Sequence, residues 1–173
     1  MTQQEFQHTV TPIQDKLYRF ALRMMNSSVE AEDVVQEVLI KLWQQREKLC
    51  QITNIEAWSI RLTRNASIDK IRTRKTTEPT DILLNVANDQ PSPEDLTRRT
   101  ETFDWVKKAI ADLPEKQRAV MHLRDIEEYS YQEIAEALGI PLNQVKVNLS
   151  RARKQVRQYL LNLKLREIKN QKK

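Results

Sequence analysis

Across 173 residues the chain has one glycine, one cysteine and 6% aromatic residues. So little glycine leaves β-hairpin turns without the residue that supplies positive φ. It also excludes the glycine-rich loops that cradle phosphates. A single cysteine, Cys50, excludes an internal disulfide, and no Cys/His cluster has the spacing of a metal site. No apolar run approaches the ~20 residues of a membrane span, and the polar start MTQQEFQHTV is unlike a signal peptide. His8 and His122 lie far apart, with no nucleophile pattern beside either. The expectation is a soluble, cytoplasmic, all-α protein that is not an enzyme, with no cofactor, no metal, no small-molecule substrate and no direct membrane insertion.

Charge is plentiful and unevenly placed. Charged residues make up 31% of the chain, and the formal net charge of +5 favours a polyanionic partner. Arg61 to Lys75 carries six bases and one acid, and Lys146 to Lys173 carries ten and one. Between them Thr76 to Thr97 has five acids, three prolines and no base, with no sustained apolar period. That stretch reads as an acidic linker. The expected organisation is a first helical domain over 1–76, the linker over 77–100, a second helical domain over 101–163, and a basic tail over 164–173.

The most informative stretch is SYQEIAEALGIPLNQVKVNLSRARK, from Ser130 to Lys154. Ser130 and Glu133 have the spacing of a capping box, and Gly139 stands where a helix closes on a left-handed residue. Pro141 opens a second helix with Val145, Leu149, Ala152 and Val156 on its apolar side. The pair reads as a helix-turn-helix. An ordinary solvated helix face mixes acids with bases, whereas Lys146 to Arg157 has five bases and no acid. At 100° per residue the outward side carries Asn143, Gln144, Lys146, Val147, Asn148, Arg151 and Lys154. Amides beside cations suit a major-groove reader, because amides pair with base edges while cations hold phosphates.

Upstream, residues 4–25 read as a helix that Pro12 breaks or kinks near its start. A second helix follows a turn at Asn26–Ser28, with Ser28 as its cap and Val34, Val35, Val38, Leu39, Leu42 and Trp43 as its apolar side. Its acids suit the positive end of a helix dipole. Asp33, Gln36 and Glu37 also make an acidic edge on which another protein can dock. Residues 55–75 read as a third helix, with Trp58, Leu62, Ile68 and Ile71 inward and Arg61, Asn65, Asp69 and Arg72 sharing a face. Dipole complementarity explains only the bases of its last turn, so the segment points to nucleic acid. Further on, Pro114 is expected to start a helix at its first position, and the last helix to reach about Leu163.

The strings AEDVVQEVLIKLW, AWSIRLTRNASIDKIRTRK and LPEKQRAVMHLRDIEEYSYQEIAEALGIPLNQVKVNLSRARKQ, in that order around an acidic linker, resemble the extracytoplasmic-function sigma factors of bacterial RNA polymerase. The resemblance implies a sigma factor that directs promoter-specific initiation. It implies that Asp33, Gln36 and Glu37, with Trp43 further along, dock on the β′ clamp helices of core polymerase. Trp58, Arg61, Asn65, Asp69, Arg72, Arg74 and Lys75 would hold the −10 element and help open the duplex. The C-terminal helix-turn-helix would read the −35 element and touch the β flap, and an anti-sigma factor would hold the protein inactive. Where many members read TVKSR this chain has Gln144, Val145, Lys146, Val147 and Asn148, so the docking geometry carries over and the target sequence does not. The competing reading is a free-standing helix-turn-helix repressor or activator, which would need a dimer to read two half-sites.

Overall fold

The computed structural model describes the backbone of residues 1–77 and 97–170 and the side chains of 1–74 and 103–165. Most of the linker expected over 77–100 lies outside the described residues, as do the side chain of Lys75 and the end of the basic tail. Among the described residues the regular elements are all helical: α1 Gln3–Met25, α2 Ser28–Gln44, α3 Arg46–Leu49, α4 Ile55–Thr77, α5 Thr97–Ala111, α6 Glu115–Asp125, α7 Tyr131–Leu138 and α8 Leu142–Asn170. None of these helices is long and apolar enough to cross a membrane.

Several ends differ from the sequence reading, each for a local reason. Pro12 sits inside α1 without breaking it; a proline costs one amide and crowds one carbonyl, and this one faces solvent on an exposed turn. Ser27, one residue before the expected cap, takes the Glu30 amide at 3.4 Å. Pro114 precedes α6 as its N-cap instead of occupying the first helical position. Pro141 likewise stands outside α8, its carbonyl receiving the amides of Gln144 and Val145. α8 runs on to Asn170, so residues 164–170 continue the helix and are not a separate tail.

The four N-terminal helices pack Leu17, Phe20, Met24, Val34, Val38, Leu42 and Ile60 into a core from which water is excluded. α4 contributes more to it than its apolar residues suggest. Ser59, Thr63 and Ser67 are fully buried, each hydroxyl donating to the carbonyl four residues earlier at 2.7–2.9 Å. Hydroxyls satisfied within their own helix do not carry the cost of an unpaired buried group. Trp58, Leu62 and Ile71, expected to point inward, are only half-buried.

The same core continues into the second half of the chain. Val120, Leu123, Ile134, Leu138 and Val145 belong to one buried cluster with Phe20, Met24 and Ile60. α1 lies along α6, and α4 lies along α7. A smaller cluster of Ala109, Ile110, Leu113, Ala152 and Val156 ties α5 to α8. The two halves are therefore closed on each other.

Candidate functional site

Three surfaces carry the residues singled out by sequence, and the fold treats each differently. The first is α8. The capping box at its partner helix forms as expected: Glu133 N donates to Ser130 Oγ at 3.2 Å, and Ser130 N donates to Glu133 Oε2 at 2.7 Å. The Ser130 hydroxyl first, and the Ser130 amide second, hold the Glu133 carboxyl below its ordinary range by hydrogen bonding to it. Gly139 closes α7 with φ of +63°, and Ile140 N returns to Ala135 O at 3.1 Å. With α7 stopped there, α8 leaves at a fixed angle. Val145, Leu149, Ala152 and Val156 are buried beneath it, while Asn143, Gln144, Lys146, Val147, Arg151 and Lys154 are exposed and Asn148 is half-buried. Arg153, on the flank, forms a two-pronged pair with Asp125 and is held away from the reading face.

Asn143, Gln144, Val147, Asn148 and Arg151 line one groove of about 320 Å³, and Lys116 of α6 completes it. Lys116 was not among the expected contacts. Nothing in its local sequence marks it, because only the packing of α6 against α8 brings it to the groove.

The second surface is the outer side of α4. Asn65, Asp69, Arg72 and Arg74 are exposed, and the first three follow one another at helical spacing. Arg74 pairs with Glu30 of α2 at 3.2 Å. Arg61, the first member of the expected face, is turned elsewhere: its guanidinium donates to the Glu136 carbonyl at the end of α7 and lies against Gly139. A cation at a helix C-terminus meets the negative end of the dipole. Trp58 rests half-buried on the shared core. The structure thus keeps Asn65, Asp69 and Arg72 together in the open and sets Arg61 against the end of α7.

The third surface is α2. Asp33 and Gln36 are exposed; Asp33 pairs with Lys70 of α4 at 3.2 Å, and Glu37 with Lys41 at 2.6 Å. Trp43 is 38% exposed, edge-on to Phe6 and under the guanidinium of Arg46 at 4.4 Å. Two apolar residues that the sequence reading passed over share this side. Val29 is 69% and Ile40 57% exposed. From Val29 to Trp43 the face extends roughly 21 Å at 1.5 Å per residue. Its signal was legible, since both residues interrupt the polar side of an amphipathic helix.

Between the halves lies a further set of charged contacts. Arg19 grips Glu127 with two hydrogen bonds of 2.7 and 2.8 Å, and that pairing holds the Glu127 carboxyl below its ordinary range. Arg118 donates to Met24 O at 2.8 Å and to Leu113 O at 3.0 Å. Glu56 accepts from Lys16 at 2.7 Å and from the Tyr129 hydroxyl, whose pKa is raised by burial and by that carboxylate. His122 is 3% exposed, edge-on to Phe20 and 3.5 Å from Glu127. Burial, with Arg23 adding repulsion, pushes its pKa down to about 4.

Both halves of the chain match known proteins. Residues 9–77 match the family described as Sigma-70 region 2, and residues 103–156 match Sigma-70, region 4. The chain is 31% identical over 171 residues to the ECF RNA polymerase sigma factor SigW of Bacillus subtilis, covering 93% of this chain and 91% of that protein. It is 32% identical over 136 residues to the RNA polymerase sigma factor SigZ of the same organism, covering 79% and 76%. In fold it is similar to the sigma factor RpoE of Bartonella quintana, solved in complex with the anti-sigma factor NepR. That likeness has a TM-score of 0.71 at 23% identity, over 90% of this chain and 96% of the other.

Proposed function

The chain belongs to the sigma-70 family, among its extracytoplasmic-function members, and from that premise we propose how its helices divide the work of starting transcription. It is a sigma factor: it binds core RNA polymerase and promoter DNA and directs promoter-specific initiation. Proteins of this kind position another enzyme and catalyse nothing themselves, and we assign this chain no reaction.

In our reading, residues 1–76 dock on polymerase and handle the −10 element, 77–100 are the linker, and 101–163 read the −35 element, followed by the basic end over 164–173. α8 lies in the major groove. Its amides face base edges, Val147 offers an apolar contact suited to a thymine methyl, and Lys116, Arg151 and Lys154 hold phosphates. The observation that carries this assignment is the groove over Asn143, Gln144, Val147, Asn148 and Arg151, open and without an acid among the residues that line it. α4 takes the −10 element along Asn65, Asp69, Arg72 and Arg74, with Lys75 beyond them. Strand opening requires single-stranded bases to be captured by stacking and by cations. Trp58 is suited to that task, and so is Arg61 once it leaves α7.

α2 docks on the β′ clamp helices through Asp33, Gln36 and Glu37, with Trp43 at the far end. Exposed Val29 and Ile40 support the reading, because a binding face combines apolar anchors with a polar rim. The C-terminal module touches the β flap. By analogy with the RpoE complex we also expect an anti-sigma factor as a regulating partner.

The test is to replace Asp33 and Glu37 together by Lys. Their ion pairs with Lys70 and Lys41 lie on exposed ground, where such pairs contribute about 0–1 kcal/mol, so the fold should survive. The variant should keep its helical spectrum, lose capture by core polymerase and lose promoter-dependent transcription. Normal holoenzyme assembly by the folded variant would remove the docking face from α2.

A further inference from the structure

Asn148 stands at a place on the reading face where the backbone decides how a side chain can be used. Its Nδ2 donates to the Gln144 carbonyl at 2.8 Å, one helical turn back. A carbonyl only accepts, so this hydrogen bond fixes which end of the amide is nitrogen. Oδ1 is thereby the atom turned from the backbone, into the groove shared with Lys116, Val147 and Arg151. Rotating the amide by 180° would set two oxygens against each other and forfeit the bond.

We infer that Asn148 selects, at one −35 position, a base that carries an exocyclic amino group in the major groove, adenine or cytosine, and rejects guanine and thymine. The proposal rests on the assignment of α8 as the −35 reader. Adenine offers its N6 amino group to Oδ1 and its N7 to the second hydrogen of Nδ2, while cytosine offers its N4 amino group alone. Guanine and thymine present the acceptors O6 and O4 where the acceptor Oδ1 already stands. Adenine therefore ranks first and cytosine second.

Asn143 shows the opposite polarity in the same groove. Its Oδ1 accepts the Gln144 amide at 2.8 Å, which leaves its NH2 group outward as a donor. Two amides with fixed and opposed polarity give the face a direction, so the base preference at Asn148 is not interchangeable with that at Asn143.

The experiment is transcription by reconstituted holoenzyme from a promoter library randomised through the −35 region, with wild type, Asn148→Ala and Asn148→Asp compared. Wild type should favour adenine, then cytosine, at one position by about tenfold over guanine or thymine. Asn148→Ala should flatten choice at that position alone. Asn148→Asp keeps an acceptor and loses the donor, so its preference should move from adenine to cytosine. The inference is overturned if the position flattened by Asn148→Ala prefers guanine or thymine in wild type. It is equally overturned if Asn148→Ala lowers all sequences alike, which marks a phosphate contact. A wild-type protein that gives no promoter-dependent transcript overturns the sigma reading itself, and this one with it.

Discussion

At the scale of single residues, His122 shows how closure of the two halves reshapes an ionisable group. The ring is sealed between α1 and α6, with Arg19 and Arg23 on one helix and Glu127 just past the other. The surrounding charge is mostly positive, so protonation is resisted by burial first and by Arg23 second. The folded-state pKa of about 4 is below the ordinary 6.5, so between these values the unfolded chain binds more protons than the folded one. Stability is therefore complete above about pH 6.5 and declines as the pH falls toward about 4. Between pH 7 and pH 5 the expected loss is about 1–2 kcal/mol, read as a lower urea midpoint. His122→Leu should remove most of that slope while leaving some loss below pH 4.5, where Glu127 and Glu133, both held below their ordinary range, begin to protonate. An unchanged slope in His122→Leu would show that the buried ring is not the titrating group.

At the scale of elements, the α7–α8 turn was the most legible part of the chain because its rules are local. A capping serine, a glutamate three residues on and a lone glycine each act within a few residues of backbone, and the structure forms all three features. Gly139→Ala should cost about 1–2 kcal/mol in a thermal or urea melt, the usual penalty for a Cβ in the left-handed region. Crowding adds little to it: an added Cβ would meet the Arg61 guanidinium at 3.5 Å, an ordinary contact with the end of a flexible side chain. Gly139→Asn should cost less, since Asn tolerates this conformation, as Asn26 does at φ of 56°. Equal losses for the two variants would mean that the backbone conformation is not what glycine supplies. α4 was harder to read for the opposite reason. Its buried side is set by three neighbours at once, α1 and α2 from its own half and α7 from the other. Ser59, Thr63 and Ser67 vanish into that contact while the larger Trp58 and Leu62 stay half-covered. Periodicity ranks residues by hydrophobicity and cannot anticipate a hydroxyl ladder that satisfies itself.

At the scale of the whole molecule, the closed arrangement conflicts with the task assigned to it. The −35 and −10 elements are roughly 25 base pairs apart, about 85 Å of duplex at 3.4 Å per step. Yet α4 touches α7 through Arg61 and Glu136, and both halves share one core. No rigid docking of this form places α4 on one element and α8 on the other, so the halves must separate when the protein works. Sequence patterning showed two modules and left their contact open, because each amphipathic helix accounts for its own apolar side without naming what covers it. The contacts to be broken are specific: Arg19 with Glu127, Arg118 with Met24 O, Arg61 with Glu136 O, and Glu56 with Tyr129. Glu127 is the point at which to weaken them, since its carboxylate is 5% exposed and holds Arg19 from the other half. The free protein should scatter as a compact particle with a radius of gyration of about 16 Å. A dye pair on the native Cys50 and on a cysteine replacing exposed Asp104 should give efficient energy transfer in the free chain and little in the holoenzyme on promoter DNA. Glu127→Arg should lower transfer in the free protein without polymerase, while each half keeps its helical signal. If efficiency stays high on the promoter, the two elements are not read by the separated halves, and the division of work between α4 and α8 is wrong.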